Sequence, residues 1–224
     1  MSNGDLHKYF LNNPGKRIHK LLHYFDIYER HLARFRNQSV TMLEIGVHSG
    51  GSLQMWKNYL GKNSKIIGID INPDCKVHEE DGIEIFIGSQ DSQELINEII
   101  KKHQFIDIVL DDGSHMMHHM IASLEMLYPY VSENGVYIVE DTCCCYWEQF
   151  DGGLYKKTSF MEYAKRLIDS IQASANLHLG GNTHEKIPVN PFMRSTDFIA
   201  FYDSAVVFEK RKQGFRSDLI TQSM

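Results

Sequence analysis

Two strand-like apolar runs, Met42–Val47 and Lys65–Asp70, bracket a glycine-rich turn that reads E-x-G-x-x-x-G-G-S from Glu44 to Ser52. A buried strand, a turn of this kind, a helix start and a second buried strand ending on an acid restrict the chain to an α/β sheet with a ligand-facing edge. Gly46, Gly50 and Gly51 carry no Cβ and tolerate positive φ, so the backbone can approach a ligand closely. Ser52 is placed to cap the helix that follows. Asp70 falls about 20 residues past the turn, where a second-strand acid accepts hydrogen bonds from a ribose. The pattern implies a nucleoside-bearing ligand. The competing reading is a plain βα turn in a doubly wound sheet.

The spacing departs from the dinucleotide fingerprint G-x-G-x-x-G. Glu44, just before the first glycine, would repel a pyrophosphate and suits a ligand with a cationic end. S-adenosylmethionine, with its ammonium and sulfonium, is such a ligand.

Beyond the turn, apolar runs and helical patterns alternate. Strands are predicted at Met42–Val47, Lys65–Asp70, Ile83–Ile87, Ile106–Leu110 and Val136–Val139, and helices at Ser52–Leu60, Ser92–Lys102, about His118–Tyr128 and Ser159 to about Ser174. This alternation predicts a doubly wound, mostly parallel Rossmann-like sheet with helices on both faces. Residues 1–39 read as an amphipathic helical cap. Thr196–Tyr202 and Ala205–Lys210, separated by D-S, read as a terminal antiparallel hairpin. The last dozen residues are polar and expected to be mobile. The whole of 1–224 is expected to form one domain: cap 1–39, nucleoside-binding core 40–176, hairpin and tail 177–224.

Length and charge bound the rest. The chain has 224 residues, enough for one large core, and a net charge of -6, so no basic footprint points to nucleic acid. No run reaches the roughly 18–20 apolar residues of a membrane span. The first ten residues show no cationic segment followed by an apolar one, so the cytoplasm is the expected location. Of the four cysteines three are consecutive, Cys143–Cys145. Adjacent cysteines rarely meet disulfide geometry, and no second pair exists to complete a zinc site, so they are expected as reduced thiols.

Acids collect at the predicted strand ends, where ligands bind in open α/β sheets. They are Glu44, Asp70, Asp111 and Asp112, then Glu140 and Asp141. The fourth and fifth strands are expected neighbours, so Asp112, Glu140 and Asp141 can face one small volume. Three carboxylates together call for a cation, and all-oxygen ligands favour Mg²⁺, Mn²⁺ or Ca²⁺. His115, three residues past Asp112, puts an imidazole beside that cation as a general base. The bland alternative has Asp112 and Ser114 capping a helix, with the other acids solvated. His118 and His119 are expected on the surface or behind the site. Ser89 and Gln90 can meet an adenine edge or simply form a turn before the next helix.

With these residues placed, the chain resembles the class I S-adenosylmethionine-dependent O-methyltransferases, and among them the metal-dependent macrocin- and mycinamicin-type sugar enzymes, with relatives in rhamnosyl methylation and cephalosporin biosynthesis. The carrying motifs are G-K-R-I-H-K-L-L-H-Y-F-D-I-Y-E-R-H, L-E-I-G-V-H-S-G-G-S-L-Q-M-W, I-I-G-I-D-I-N-P, D-D-G-S-H and Y-I-V-E-D-T-C-C-C-Y-W, within residues 14–170. The resemblance implies that Glu44, Gly46, Ser52, Asp70 and Asp111 hold the cofactor with Ser89 and Gln90 near adenine. It implies Mg²⁺ (or Mn²⁺) on Asp112, Glu140 and Asp141, and His115 as the base. His23, Tyr24 and Tyr28 would close over the site. Cys143 stands where relatives carry a histidine after E-D-T. The implied acceptor is a sugar hydroxyl of a small glycoside or glycan precursor. A catechol-like diol, or a non-catalytic nucleoside-binding scaffold, is the alternative, and a homo-oligomer is compatible with either.

Overall fold

A computed structural model describes residues 4–178, 192 and 195–211. Its centre is a seven-stranded sheet built from β1 (Thr41–Ile45), β2 (Lys65–Asp70), β3 (Ile83–Ile87), β4 (Ile106–Asp111), β5 (Val131–Val139), β6 (Thr196–Tyr202) and β7 (Ala205–Lys210). The strand order is β3-β2-β1-β4-β5-β7-β6. The first five strands in that order pair in parallel, and β7 and β6 add antiparallel. The parallel strands read as nearly unbroken apolar runs because helices cover both faces. One face buries Phe25, Tyr28 and Trp56, the other Tyr137, Phe160 and Phe208.

The crossover helices are α3 (Gly51–Leu60), α4 (Gln93–His103), α5 (Met117–Leu127) and α6 (Phe160–His178). The Ser92 hydroxyl caps α4 by accepting from Leu95 N at 3.3 Å. The fold class is as predicted, and the hairpin at β6–β7 has the predicted boundaries. The expected mobile last dozen residues lie outside the described residues.

Most element ends fall within two residues of the prediction, the two largest departures being in β5 and in the N-terminal cap. β5 begins at Val131 rather than Val136, with an irregular register opposite Ile106–Ile108 that accommodates S-E-N-G. The N-terminal cap is not one helical stretch. Helices α1 (Asp5–Leu11) and α2 (Tyr24–Leu32) are separated by an irregular strap over residues 12–23. Pro14 removes a helical donor. Asn13 then accepts from Gly15 N at 3.0 Å and donates to Lys16 O at 2.7 Å, which turns the chain locally. The strap presses on the glycine turn: a Cβ on Gly51 would lie 2.3 Å from the carbonyl oxygens of Lys16 and Arg17. Only glycine lets the strap cross here.

Candidate active site at the carboxyl edge of the sheet

β1 and β4 are adjacent, so the turn after β1 and the D-D-G-S-H segment after β4 meet. Gly46 has φ +96°, and a Cβ there would fall 2.1 Å from the Asp112 carbonyl oxygen. Gly46 is thus required both for its backbone conformation and for that approach. Asp70 holds the turn: its Oδ2 accepts from Val47 N and His48 N, both at 2.9 Å, and its Oδ1 from Asn72 N at 2.9 Å. Partial burial raises its proton affinity, but those backbone donors outweigh it and keep the carboxyl below its ordinary range. Asp70 reaches the cavity edge with much of its accepting capacity already committed.

Ser52 does not cap α3. Gly50, in the left-handed region, occupies the cap position, and Ser52 sits inside the first turn. Its hydroxyl donates to Glu44 Oε2 at 2.8 Å, so it orients that acid instead. Glu44 is fully buried, and its Oε1 has no hydrogen-bond partner.

The strap delivers a residue the sequence reading did not single out. Lys20 Nζ lies 2.6 Å from Asp112 Oδ2, 2.9 Å from Glu140 Oε2 and 3.4 Å from Glu44 Oε1. Its side chain is only 2 % exposed. Burial pulls its pKa down, yet Asp112 and Glu140 more than offset this and keep it charged. Nothing in the local pattern K-R-I-H-K marks which lysine turns inward, because the strap has no regular period. Glu140 also accepts from the Tyr28 hydroxyl.

Asp112, His115 and Asp141 converge, each offering one ligand atom within 4.8 Å of the others. His115 Nε2 is 3.6 Å from Asp141 Oδ2. His115 and Asp141 both adopt positive φ, 58° and 51°, a strained conformation that aims them into the site. The structure therefore groups His115 with two of the three carboxylates expected around a cation. The third, Glu140, is turned to Lys20 and Tyr28. His23 reaches Asp203 O at 3.0 Å, and the Tyr24 hydroxyl donates to Asp141 Oδ1 at 2.7 Å.

These residues open onto a cavity of about 620 Å³ that Gly46, Ser52, Asp70, Asp112, His115 and Asp141 help line. A second cavity of about 180 Å³ lies across Gly46 and Asp70, against Ser89, Gln90 and His119. Gln90 is buried, accepting from Ser114 N at 2.8 Å and donating to Ser123 Oγ at 2.8 Å and Asp111 Oδ1 at 3.1 Å. The Ser89 hydroxyl donates to Asp91. Both side chains brace this wall through these bonds. Asp111, expected against the cofactor, lines neither cavity and is 1 % exposed. It points to the far face of β4, where it receives Gln90, Gly113 N and Tyr137. Burial pushes its pKa up to about 7.

His119 Nδ1 pairs with Ser114 Oγ at 2.7 Å, and His118 stays on the surface. All four cysteines are free thiols. Cys143 Sγ lies 3.7 Å from Asp141 O, behind the site.

The donor set fits the groups implied by the sequence. Two carboxylates and an imidazole, with a third carboxylate adjacent, suit Mg²⁺ or Mn²⁺. The glycine cradle at Gly46 suits a ligand that approaches the backbone closely, whereas Glu44, expected against the ligand's cationic end, is fully buried beside Lys20 and lines neither cavity.

Comparison with known proteins agrees. Residues 43–142 match a family model described as a methyltransferase domain. In fold and in those residues the chain is similar to methyltransferase domains. The 8-demethyl-8-alpha-L-rhamnosyl tetracenomycin-C 2'-O-methyltransferase of Streptomyces olivaceus is 32% identical over 196 residues, covering 84% of this chain and 50% of that protein. Demethylmacrocin O-methyltransferase of Streptomyces fradiae is 37% identical over 163 residues, covering 67% and 40%. The solved structure of the MycE methyltransferase from the mycinamycin pathway, in complex with Mg and SAH, superposes with a TM-score of 0.79 at 29% identity, covering 93% of this chain and 54% of that one. The chain spans half or less of the length of these curated relatives.

Proposed function

We propose that this domain transfers a methyl group from S-adenosylmethionine to a sugar hydroxyl with a divalent cation in attendance. The observation that carries the reading is the convergence of Asp112, His115 and Asp141 at the mouth of the cavity cradled by Gly46. The MycE structure with Mg, SAH and mycinamycin VI, at a TM-score of 0.77 and 29% identity, supports a glycoside as acceptor. We read residues 40–176 as the cofactor-binding core, the acceptor as a small glycoside or glycan precursor, and the location as cytoplasmic. Among the described residues no helix is long and apolar enough to cross a membrane.

Asp112, Glu140 and Asp141 would hold Mg²⁺, whose charge lowers the pKa of an acceptor hydroxyl. His115 takes the hydroxyl proton as the acceptor oxygen attacks. The carbon–oxygen bond forms while the carbon–sulfur bond breaks, its electron pair returning to sulfur, and the neutral thioether leaves. Asp141 orients the imidazole from 3.6 Å, and Tyr24 fixes Asp141. The Phe150 ring stands edge-on to the His115 ring, with centroids 6.0 Å apart. The chain's remaining contribution is alignment of acceptor and methyl.

The test is a screen of glycoside and catechol acceptors with isotopically labelled donor, with and without EDTA. Labelled methyl on a glycoside, lost on chelation, is the expected result. Labelling of the catechol alone would overturn the sugar assignment, and labelling that survives chelation would overturn the metal assignment.

A further inference from the structure

The Lys20 ammonium stands on oxygens that a divalent ion needs. A Mg²⁺ shared by Asp112 Oδ2 and Glu140 Oε2 would sit about 2.1 Å from each. Lys20 Nζ already lies 2.6 and 2.9 Å from those atoms. Two cations cannot share that spot, because their repulsion in a buried site is strong. A second seat for the ammonium exists nearby. Glu44 Oε1 is buried, lacks a hydrogen bond, and is 3.4 Å from the same nitrogen. The Lys20 backbone is fixed on both sides, by the strap's packing on Gly51 and by the start of α2, so a side-chain swing is enough.

We propose that Lys20 is a tethered cation that competes with the divalent ion for Asp112 and Glu140 and withdraws to Glu44 when the ion loads. The inference rests on the reading of this edge as a divalent-ion site. It assigns His115 its role. With Lys20 in place, the three-donor set among the described residues is Asp112, His115 and Asp141, which spends the imidazole as a ligand. With Lys20 withdrawn, Asp112, Glu140 and Asp141 supply three carboxylates and the imidazole is left to take a proton. On Glu44 the ammonium also satisfies the orphaned oxygen.

The experiment is Mn²⁺ titration of the cofactor-free protein, followed by electron paramagnetic resonance, for wild type, Lys20→Met and Lys20→Gln. Both variants are expected to bind Mn²⁺ about tenfold tighter or more, since a competing charge is gone. A lysine that merely shaped the acids would give weaker binding when removed. Equal or weaker binding by the folded variants overturns the proposal and leaves methyl transfer standing. Absence of binding by wild type and variants alike overturns the metal reading and the proposal with it. Spin-echo modulation of the wild-type Mn²⁺ complex is a second readout that needs no variant. No directly bound imidazole nitrogen is expected, and a bound one means that Lys20 stayed in place, which overturns the swing.

Discussion

Tyr24 and Asp141 are joined twice: the Tyr24 hydroxyl donates to Asp141 Oδ1 at 2.7 Å, and Asp141 N donates to the same hydroxyl oxygen at 3.0 Å. One phenol thus fixes both the carboxylate and the left-handed backbone that aims it. Such supports behind a metal ligand are typically worth 10–100-fold in affinity or activity. Tyr24→Phe is expected to weaken Mn²⁺ binding by about tenfold while changing the melting temperature little, because the ring and its contacts with Tyr28 remain. Mn²⁺ titration with parallel thermal melts checks this. Unchanged affinity would mean that Asp141 holds its orientation without the phenol.

Gly46→Ala tests the cradle. Its Cβ would meet the Asp112 carbonyl at 2.1 Å, a backbone atom that cannot step aside cheaply, and alanine is strained at φ +96°. The expected outcome is a loss of a few kcal/mol, roughly 1–3 from the backbone conformation alone, together with loss of S-adenosylhomocysteine binding. Urea unfolding and isothermal titration measure the two. Retained nucleoside binding would move the cofactor away from this turn.

Much of the fold was legible because its signals are local. Apolar runs of strand length bounded by glycine and acids set the sheet, and the D-S turn between two β-rich runs set the hairpin to the residue. The acids at the ends of β4 and β5 were likewise readable, because parallel neighbours place their carboxyl ends together. Three things were not legible. The strap hides its direction, since irregular backbone has no period from which to read that Lys20 turns inward. Asp111 and Asp112 are adjacent at the end of an extended strand, so their side chains take opposite faces, but only the packed sheet decides which of the two meets the site. Ser52 looked like a cap because serine favours that position, yet Gly50 takes the left-handed turn two residues earlier and frees the Ser52 hydroxyl for Glu44.

Asp111 predicts a pH dependence. Its folded-state pKa is raised by burial to about 7, above its value in the unfolded chain. The native state therefore binds the proton more tightly, and stability drops as pH climbs from about 4 to about 7 and stays lowered above that. Asp111→Asn keeps an acceptor and carries no proton to lose. It is expected to match wild type near pH 4 and exceed it at pH 8, by up to roughly 4 kcal/mol at 1.36 kcal/mol per unit of pKa. Urea midpoints at both pH values decide it. Parallel curves would show that the carboxyl is ionised throughout.

His115→Ala separates binding from chemistry. The imidazole lies at the cavity mouth, and the cradle at Gly46, Ser52 and Asp70 does not depend on its hydrogen bonds. Cofactor affinity is therefore expected within a few-fold of wild type. General-base catalysis is typically worth ~10²–10⁴-fold, so kcat is expected to fall by that factor while KM for the acceptor changes little. His115→Gln restores a polar side chain at this position without a basic nitrogen, so it should remain as slow as the alanine variant. Recovery of turnover by glutamine would mean that His115 positions the acceptor rather than taking its proton. Near-normal turnover by alanine would remove His115 from the reaction altogether.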